Sequence, residues 1–227
     1  MSQDQDHPHD HYPDHDHAND AGHTPHPLQP DDASPPGRYE VMILAMRDLL
    51  IVKGVVTAEQ IRRGFETLDS WQPSRGAQIV ARAWIDPAFK ARLLENGSAA
   101  VADFGIKMGD VRLTVVENTS QVQNVVVCTL CSCYPRAVLG LPPDWYRSKS
   151  YRSRMVIEPR QVLMELGTAI PDDMTIRVHD SLADLRYLVI PKRPAGTEGW
   201  SEEQLASIVS RDCMVGVANP KITASRP

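Results

Sequence analysis

The sequence predicts an α/β fold, and three observations support this class. Segments rich in β-branched residues alternate with segments whose apolar residues recur at helical spacing. With 227 residues, of which 42% are hydrophobic, the chain is long enough to bury a sizeable core. No apolar run approaches the roughly 20 residues that a membrane-crossing helix needs. We therefore expect one globular domain with extensions.

The first 37 residues differ in composition from the rest. They hold seven of the eight histidines and eight aspartates, but no lysine or arginine. So little apolar surface cannot offset the entropy cost of ordering, so residues 1–37 are predicted to be a disordered His/Asp/Pro-rich tail. The tail either captures divalent ions such as cobalt, nickel or zinc loosely, or is a solvated extension without function. Subtracting its charge of −8 from the net −5 leaves +3, which does not indicate a nucleic-acid surface.

Four helices are predicted in residues 38–104. The first covers residues 41–53, and the second begins at the capping-box pair Thr57 and Gln60 and runs to about residue 68. The third covers residues 76–84, and Asp86 and Pro87 start the fourth, which ends at residues 96–97. These helices have no sheet of their own to cover. The extension therefore either wraps a partner subunit or forms a bundle within the chain.

Residues 105–227 carry the strand signals. Two β-branched runs, 111–117 and 122–127, flank a turn at residues 118–120, and a second pair, 174–178 and 185–190, flanks residues 180–181. Helices are predicted at 159–166, closed by Gly167, and from Ser201 to about residue 210. Strands mixed with short helices indicate an α/β domain.

Three of the four cysteines lie within six residues, in the segment Cys128-Thr129-Leu130-Cys131-Ser132-Cys133, which we call the claw. Such close thiols cannot all pair as disulfides without severe strain, whereas three thiolates suit one soft metal ion. A structural zinc site needs a second ligand pair, which Cys213 and His179 do not form, and iron-sulfur clusters usually need four cysteines at other spacings. A redox CxxC pair leaves Cys133 unexplained, and purely structural thiols do not explain why all three share one turn.

The claw, together with Val127, Tyr134 and Pro135, resembles the metal-binding segment of nitrile hydratase alpha subunits and of the related thiocyanate hydrolase gamma subunit. The similarity covers roughly residues 39–220 and is clearest in five further stretches, at residues 139–146, 151–154, 158–160, 176–178 and 193–200. The resemblance implies that residues 105–227 form a layered α-β-β-α domain and that residues 38–104 contact the partner subunit.

The resemblance also implies a ligand set. The thiolates of Cys128, Cys131 and Cys133, with the deprotonated backbone amides of Ser132 and Cys133, would hold a low-spin trivalent metal ion, leaving a sixth position for water or substrate. Cys131 would be oxidised to a sulfinic acid and Cys133 to a sulfenic acid. Thr129 stands where iron-dependent members usually carry serine, so the resemblance favours cobalt over iron.

We therefore predict the catalytic alpha subunit of a nitrile hydratase, a lyase that hydrates a nitrile to its amide, with Cys131 and Cys133 as the catalytic residues. The metal would act as a Lewis acid, and the sulfenate oxygen of Cys133, or a water beside it, would attack the nitrile carbon. The predicted partners are a beta-type subunit, in a heterodimer or heterotetramer, and a metal-insertion activator protein. Without a secretory signal pattern, the expected compartment is a reducing cytoplasm.

Two alternatives stay open. Arg136 stands where nitrile hydratases commonly place a pocket tryptophan and thiocyanate hydrolase gamma subunits an arginine, which suits an anionic substrate. Aligned by eye, Gly109 replaces a glutamine that many nitrile hydratases hold near the metal. The tail and residues 211–213 resemble the thiocyanate enzyme, which releases carbonyl sulfide and ammonia, whereas residues 139–146 and 195–199 are closer to nitrile hydratase. The other alternative is a metal storage or delivery protein without catalysis.

Several other residues are expected to have structural roles. Trp145 and Tyr146 are predicted to be core or subunit-interface aromatics, and Arg152 an interface or ion-pair residue. Cys213 is predicted to be a buried free thiol.

Overall fold

The structure is a computed structural model that describes residues 37–222. The predicted disorder of the tail, and any role of its histidines in metal capture, concern residues 1–36, which lie outside the described residues. The chain falls into two compact units that divide between Val55 and Val56. The predicted division into residues 1–37, 38–104 and 105–227 remains a prediction.

The first unit contains one described helix, α1 (Arg38–Val52), which starts three residues earlier than predicted. None of its residues is buried, and most of its large apolar side chains are exposed, among them Tyr39, at 79%, and Val52, at 83%. An exposed apolar surface of this kind is typical of a protein-contact segment.

Three longer helices begin the second unit. The predicted capping box of α2 (Ala58–Asp69) is confirmed: the Thr57 hydroxyl accepts from the Gln60 amide at 3.1 Å, and the Gln60 side chain accepts from the Thr57 amide at 2.7 Å. Helix α3 (Pro73–Ile85) starts on a proline and buries one face. Helix α4 (Pro87–Glu95) is capped by the Asp86 carboxylate, as predicted. A short helix, α5 (Gly97–Ala100), and a 3-10 turn (Val101–Phe104) follow.

All four predicted strands are present, and the α/β class is confirmed. They are β1 (Arg112–Glu117), β2 (Val122–Val127), β3 (Thr175–Asp180) and β4 (Leu185–Ile190). Strand β1 pairs with β4 and β2 pairs with β3, both in parallel. The strands that flank one turn therefore lie in different two-stranded sheets, and each parallel pair is joined by a long crossover. Buried side chains from both sheets share one apolar core with the helices.

Short helices fill the crossover and the C-terminal part of the chain. They are α6 (Arg136–Leu139), α7 (Asp144–Arg147), α8 (Lys149–Ile157), α9 (Pro159–Glu165), α10 (Glu202–Ser207) and α11 (Arg211–Val215). The predicted helix through residue 210 is too long. It ends at Ser207, and the Ser210 hydroxyl caps the separate helix α11 by accepting from the Cys213 amide at 3.3 Å.

The strand register determines where the claw lies. Strand β2 is buried from Gln123 to Val127, and Val127 is paired with Asp180 at the end of β3. Because both strands run in the same direction, their carboxyl ends meet at one edge of the sheet, and the claw starts at this edge. Among residues 37–222, no helix is long and apolar enough to cross a membrane.

Candidate metal centre

The claw leaves the core directly from a buried strand. Cys128 follows Val127 and is fully buried, whereas Cys131 is exposed and Cys133 half-buried. Two buried tyrosines hold the backbone on either side: the Tyr151 hydroxyl donates to the Val126 carbonyl at 2.7 Å, and the Tyr146 hydroxyl donates to the Cys133 carbonyl at 2.8 Å. The start and the end of the loop are therefore fixed by groups inside the core.

The three claw sulfur atoms converge. Cys131 Sγ lies 3.5 Å from Cys128 Sγ and 3.2 Å from Cys133 Sγ, and all three lie within 4.8 Å of one another. None is in a disulfide. With metal–sulfur bonds of about 2.3 Å, adjacent octahedral ligands lie about 3.3 Å apart and tetrahedral ligands about 3.8 Å. The distance of 3.2 Å is close to the octahedral value, and the distance of 3.5 Å lies between the two values.

The thiols differ in acidity even without a metal ion. Hydrogen bonds from Cys133 and Cys128 stabilise the Cys131 thiolate and lower the pKa of Cys131 to about 7. Burial, followed by the hydrogen bond with Cys131, raises the pKa of the Cys133 thiol. Cys131 therefore becomes a thiolate more readily than Cys133 at neutral pH, and the thiolate is the form that binds metal.

Two charged side chains brace the exposed part of the claw. Asp180 accepts from the Thr129 amide at 2.9 Å and from the Thr129 hydroxyl at 2.6 Å. Arg152 donates to the Cys131 carbonyl at 2.6 Å and to the Thr129 carbonyl at 3.5 Å. Charge-assisted bonds of this kind are stronger than neutral ones, so the loop is held in one conformation by both an anion and a cation.

A cavity of about 650 Å³ opens beside the claw. Cys131, Ser132 and Cys133 form one part of its wall, and Trp71, with other apolar side chains, forms another. Three cationic residues also line it: Lys107, Arg136 and Arg186. Among the described residues that line this cavity, none is an aspartate or a glutamate.

The predicted site residues lie together. The three cysteine sulfurs converge, and Ser132 and Arg136 border the same cavity as Cys131 and Cys133. Gly109, which aligns with a glutamine of many nitrile hydratases, also lines this cavity. Cys213 is buried and free, as predicted, and its sulfur lies 3.1 Å from the Ser210 hydroxyl oxygen.

Tyr146 has the structural role that was predicted for it, whereas Arg152 has a different one. Tyr146 is a core aromatic, fully buried among Tyr134, Trp145 and Tyr151. Arg152 differs from an ion-pair residue, because no carboxylate within residues 37–222 pairs with it and it donates to the claw carbonyls instead.

Sequence reasoning missed four residues at the site: Lys107, Asp180, Arg186 and the supporting hydroxyl of Tyr151. All are far from the claw along the chain; Asp180 is 51 residues from Thr129. The position of Asp180 in the turn just after the predicted strand 174–178 was the one available signal, because carboxyl ends of neighbouring parallel strands meet at one sheet edge. Using it required knowing that β2 pairs with β3.

Comparisons with known proteins agree on one family. A family model described as "Nitrile hydratase, alpha chain" matches residues 37–218. The gamma subunit of thiocyanate hydrolase from Thiobacillus thioparus is 44% identical over 205 residues, covering 83% of this chain and 84% of its own length. The alpha subunit of the low-molecular-weight cobalt-containing nitrile hydratase from Rhodococcus rhodochrous is 48% identical over 180 residues, covering 78% and 87%.

Solved structures give the same result. A recombinant thiocyanate hydrolase with partially modified cobalt centres superposes with a TM-score of 0.76 at 41% identity, covering 85% of this chain and 100% of its own. A double mutant of the Fe-type nitrile hydratase from Comamonas testosteroni Ni1 has a TM-score of 0.74 at 40% identity, covering 87% and 96%.

Proposed function

Because this chain belongs to the nitrile hydratase alpha-chain family, we propose that it is the metal-holding, catalytic subunit of an enzyme that hydrates a nitrile to its amide. The observation that carries the proposal is the convergence of the Cys128, Cys131 and Cys133 sulfurs beside a cavity. The proposed ligands are these three thiolates and the backbone amide nitrogens of Ser132 and Cys133. Nearly consecutive residues can supply five ligands to one ion only when the loop is held as tightly as this one.

We propose cobalt as the metal. Thr129 favours it over iron, and the name of the similar Rhodococcus rhodochrous protein describes a cobalt-containing enzyme. The Fe-type structure from Comamonas testosteroni is also similar, so the protein scaffold alone does not select the metal. Elemental analysis of active protein tests the choice: about one cobalt per claw is expected, and stoichiometric iron would contradict it.

Hydration adds one water molecule across the carbon–nitrogen triple bond. The water oxygen bonds to carbon, and both protons end on nitrogen. A trivalent metal ion held by the claw would supply Lewis-acid activation of the nitrile. We propose that Cys131 carries a sulfinic acid and Cys133 a sulfenic acid. The Cys133 oxygen either accepts a proton from the water that attacks the nitrile carbon, or attacks that carbon itself. In the second case a water then attacks the same carbon, the bond between carbon and the Cys133 oxygen breaks, and the sulfenic acid is restored as the amide leaves. Asp180 and Arg152 hold the loop while this happens.

A beta-type partner subunit completes the enzyme in this proposal. Nitrile hydratase alpha subunits and the thiocyanate hydrolase gamma subunit are each one subunit of a larger enzyme. The cavity beside the claw is open, and the exposed apolar side chains of α1 suit a protein contact. We also propose a metal-insertion activator protein, and a reducing cytoplasm as the compartment, which suits the four free cysteines.

Thiocyanate hydrolysis is the second candidate, and Arg136 is the observation that favours it. Its side chain borders the claw cavity, where a cation stabilises an anionic substrate. The balanced reaction consumes thiocyanate and two waters and yields carbonyl sulfide, ammonia and hydroxide.

One assay separates the two candidates. The purified complex with its partner subunit is given either a small neutral nitrile such as propionitrile, with amide as the readout, or thiocyanate, with carbonyl sulfide and ammonia as the readout. We expect nitrile hydration to dominate. Faster thiocyanate turnover, reversed by Arg136→Trp, would establish the second candidate instead.

A further inference from the structure

Three cations surround the claw cavity without a carboxylate beside them. Arg136 starts α6, Arg186 lies on β4, and Lys107 lies in the loop before β1, so each comes from a different element. Within residues 37–222, none of the three forms an ion pair, whereas arginines elsewhere, such as Arg82 and Arg154, are paired with glutamates. No carboxylate of the described residues therefore neutralises the charge on this side of the claw.

Arg186 lies on the wall of the cavity beside the metal loop. Its guanidinium donates to the carbonyls of Leu182 and Leu185, which fix it, and it is only half-exposed. Arg186 and Cys133 line the same cavity. A ligand bound there beside Cys133 therefore lies near this positive charge.

The cavity has an apolar wall as well as cations. Its volume is about 650 Å³, and the side chains of Trp71, Met108 and Val111 give it an apolar wall in addition to its cations. Pockets that bind organic molecules combine such a wall with a few placed polar groups. A carbon chain would contact the apolar wall while a charged end meets the guanidinium groups.

We propose that the preferred substrates are nitriles that carry a negative charge, such as short cyanocarboxylates, with the cyano group toward the claw and the carboxylate toward Arg136, Lys107 and Arg186. The inference rests on the proposed function and names its substrate class. Arginine pairs with carboxylates through two parallel hydrogen bonds, so Arg136 and Arg186 are the expected specificity-determining residues. The hydration step is unchanged: one water is consumed and one amide formed, with the carboxylate intact.

The test uses the metal-loaded complex of the full chain with its partner subunit. Two substrates have the same shape and differ in charge: 3-cyanopropanoate is anionic at pH 7, and 3-cyanopropanamide is neutral. We expect kcat/KM for the anion to exceed that for the neutral compound by about tenfold or more at low salt, and the ratio to fall as ionic strength rises.

Three variants test whether the cations of the claw cavity cause the preference for the anion. Arg136→Gln is expected to lower the anion-to-neutral ratio by about tenfold, and Lys107→Gln, which removes a more flexible cation, by less. Lys192→Gln is the matched control, because it removes one exposed positive charge outside the claw cavity and should leave the ratio unchanged.

The possible failures are distinguishable. If 3-cyanopropanamide and propionitrile are hydrated but the anion has no advantage, or Arg136→Gln leaves the ratio unchanged, the charge inference is wrong and the proposed function stands. The cations would then serve the oxidised sulfurs or the partner subunit. If no nitrile is hydrated and thiocyanate alone is consumed, both the inference and the proposed function are wrong.

Discussion

The two sides of the claw are built differently. On the core side, buried or half-buried groups are paired: Tyr151 and Tyr146 donate to backbone carbonyls, and Asp180 accepts twice from Thr129. On the cavity side, Lys107, Arg136 and Arg186 carry charges that no carboxylate of the described chain pairs with. This difference indicates that groups of this chain hold the claw backbone, while the cavity side carries cations that no carboxylate of the described residues neutralises.

The largest expected effect comes from removing a claw sulfur on the core side. Cys128→Ala deletes the buried thiol of the claw, and the loop then has two sulfur donors instead of three. We expect tightly bound metal to fall by about 100-fold or more, with loss of nitrile hydration. Elemental analysis after dialysis against a chelator measures the loss. Cys213→Ala is the control; metal loss as large in that variant would show that the effect is not specific to the claw.

A smaller effect is expected from a residue that holds the loop without touching the metal. Asp180→Asn replaces the carboxylate that accepts from the Thr129 amide and hydroxyl. Groups that orient metal ligands typically contribute 10–100-fold in affinity, so we expect metal release to a chelator to speed up by about tenfold. Asp173→Asn, at an exposed turn, should behave as the parent. Equal release rates for all three proteins would mean that the core-side support is not needed.

A stability measurement isolates the core side further. Tyr151→Phe removes a buried hydroxyl that donates to the Val126 carbonyl and leaves that carbonyl without this partner. The expected cost is about 1–3 kcal/mol in the free energy of unfolding. Tyr39→Phe, on a ring that is 79% exposed, should change stability by less than about 0.5 kcal/mol. Chemical denaturation of the two variants beside the parent chain gives both values.

The smallest expected effect is a pH dependence of folding stability that arises from His179 on β3. His179 Nε2 donates to Asn124 Oδ1 at 2.9 Å, and the pKa of His179 is lowered by burial and by the nearby Arg177 charge. Its neutral form is therefore favoured in the folded state, so its contribution to stability is present above the unfolded pKa of about 6.5 and is lost as pH falls below it. The stability difference between parent and His179→Gln should change between pH 7.5 and 5; a constant difference would contradict this.

The claw could be predicted from the sequence because its three cysteines are almost consecutive. Three thiols in six residues after an apolar run converge wherever that strand lies in the fold. The capping residues Thr57 and Asp86 were equally local signals, and both predicted caps are confirmed. Helix α8 was missed because its residues, from Lys149 to Ile157, are mostly polar and show little apolar periodicity.

The rest of the site depends on long-range pairing that periodicity does not contain. The sequence showed strands on either side of a turn at residues 118–120, but β1 pairs with β4 and β2 with β3. Only that arrangement brings Asp180 to Thr129 and Arg186 to Cys133. Local sequence patterns therefore could not predict which residues hold the claw or which cations line its cavity.

X-ray absorption at the metal edge of the active complex tests the central claim most directly, because the claw offers sulfur donors and the His/Asp-rich tail offers only nitrogen and oxygen. We expect a cobalt signal with a shell of about three sulfur atoms near 2.3 Å from the metal. A metal surrounded by nitrogen and oxygen alone, lost when residues 1–36 are deleted, would contradict it.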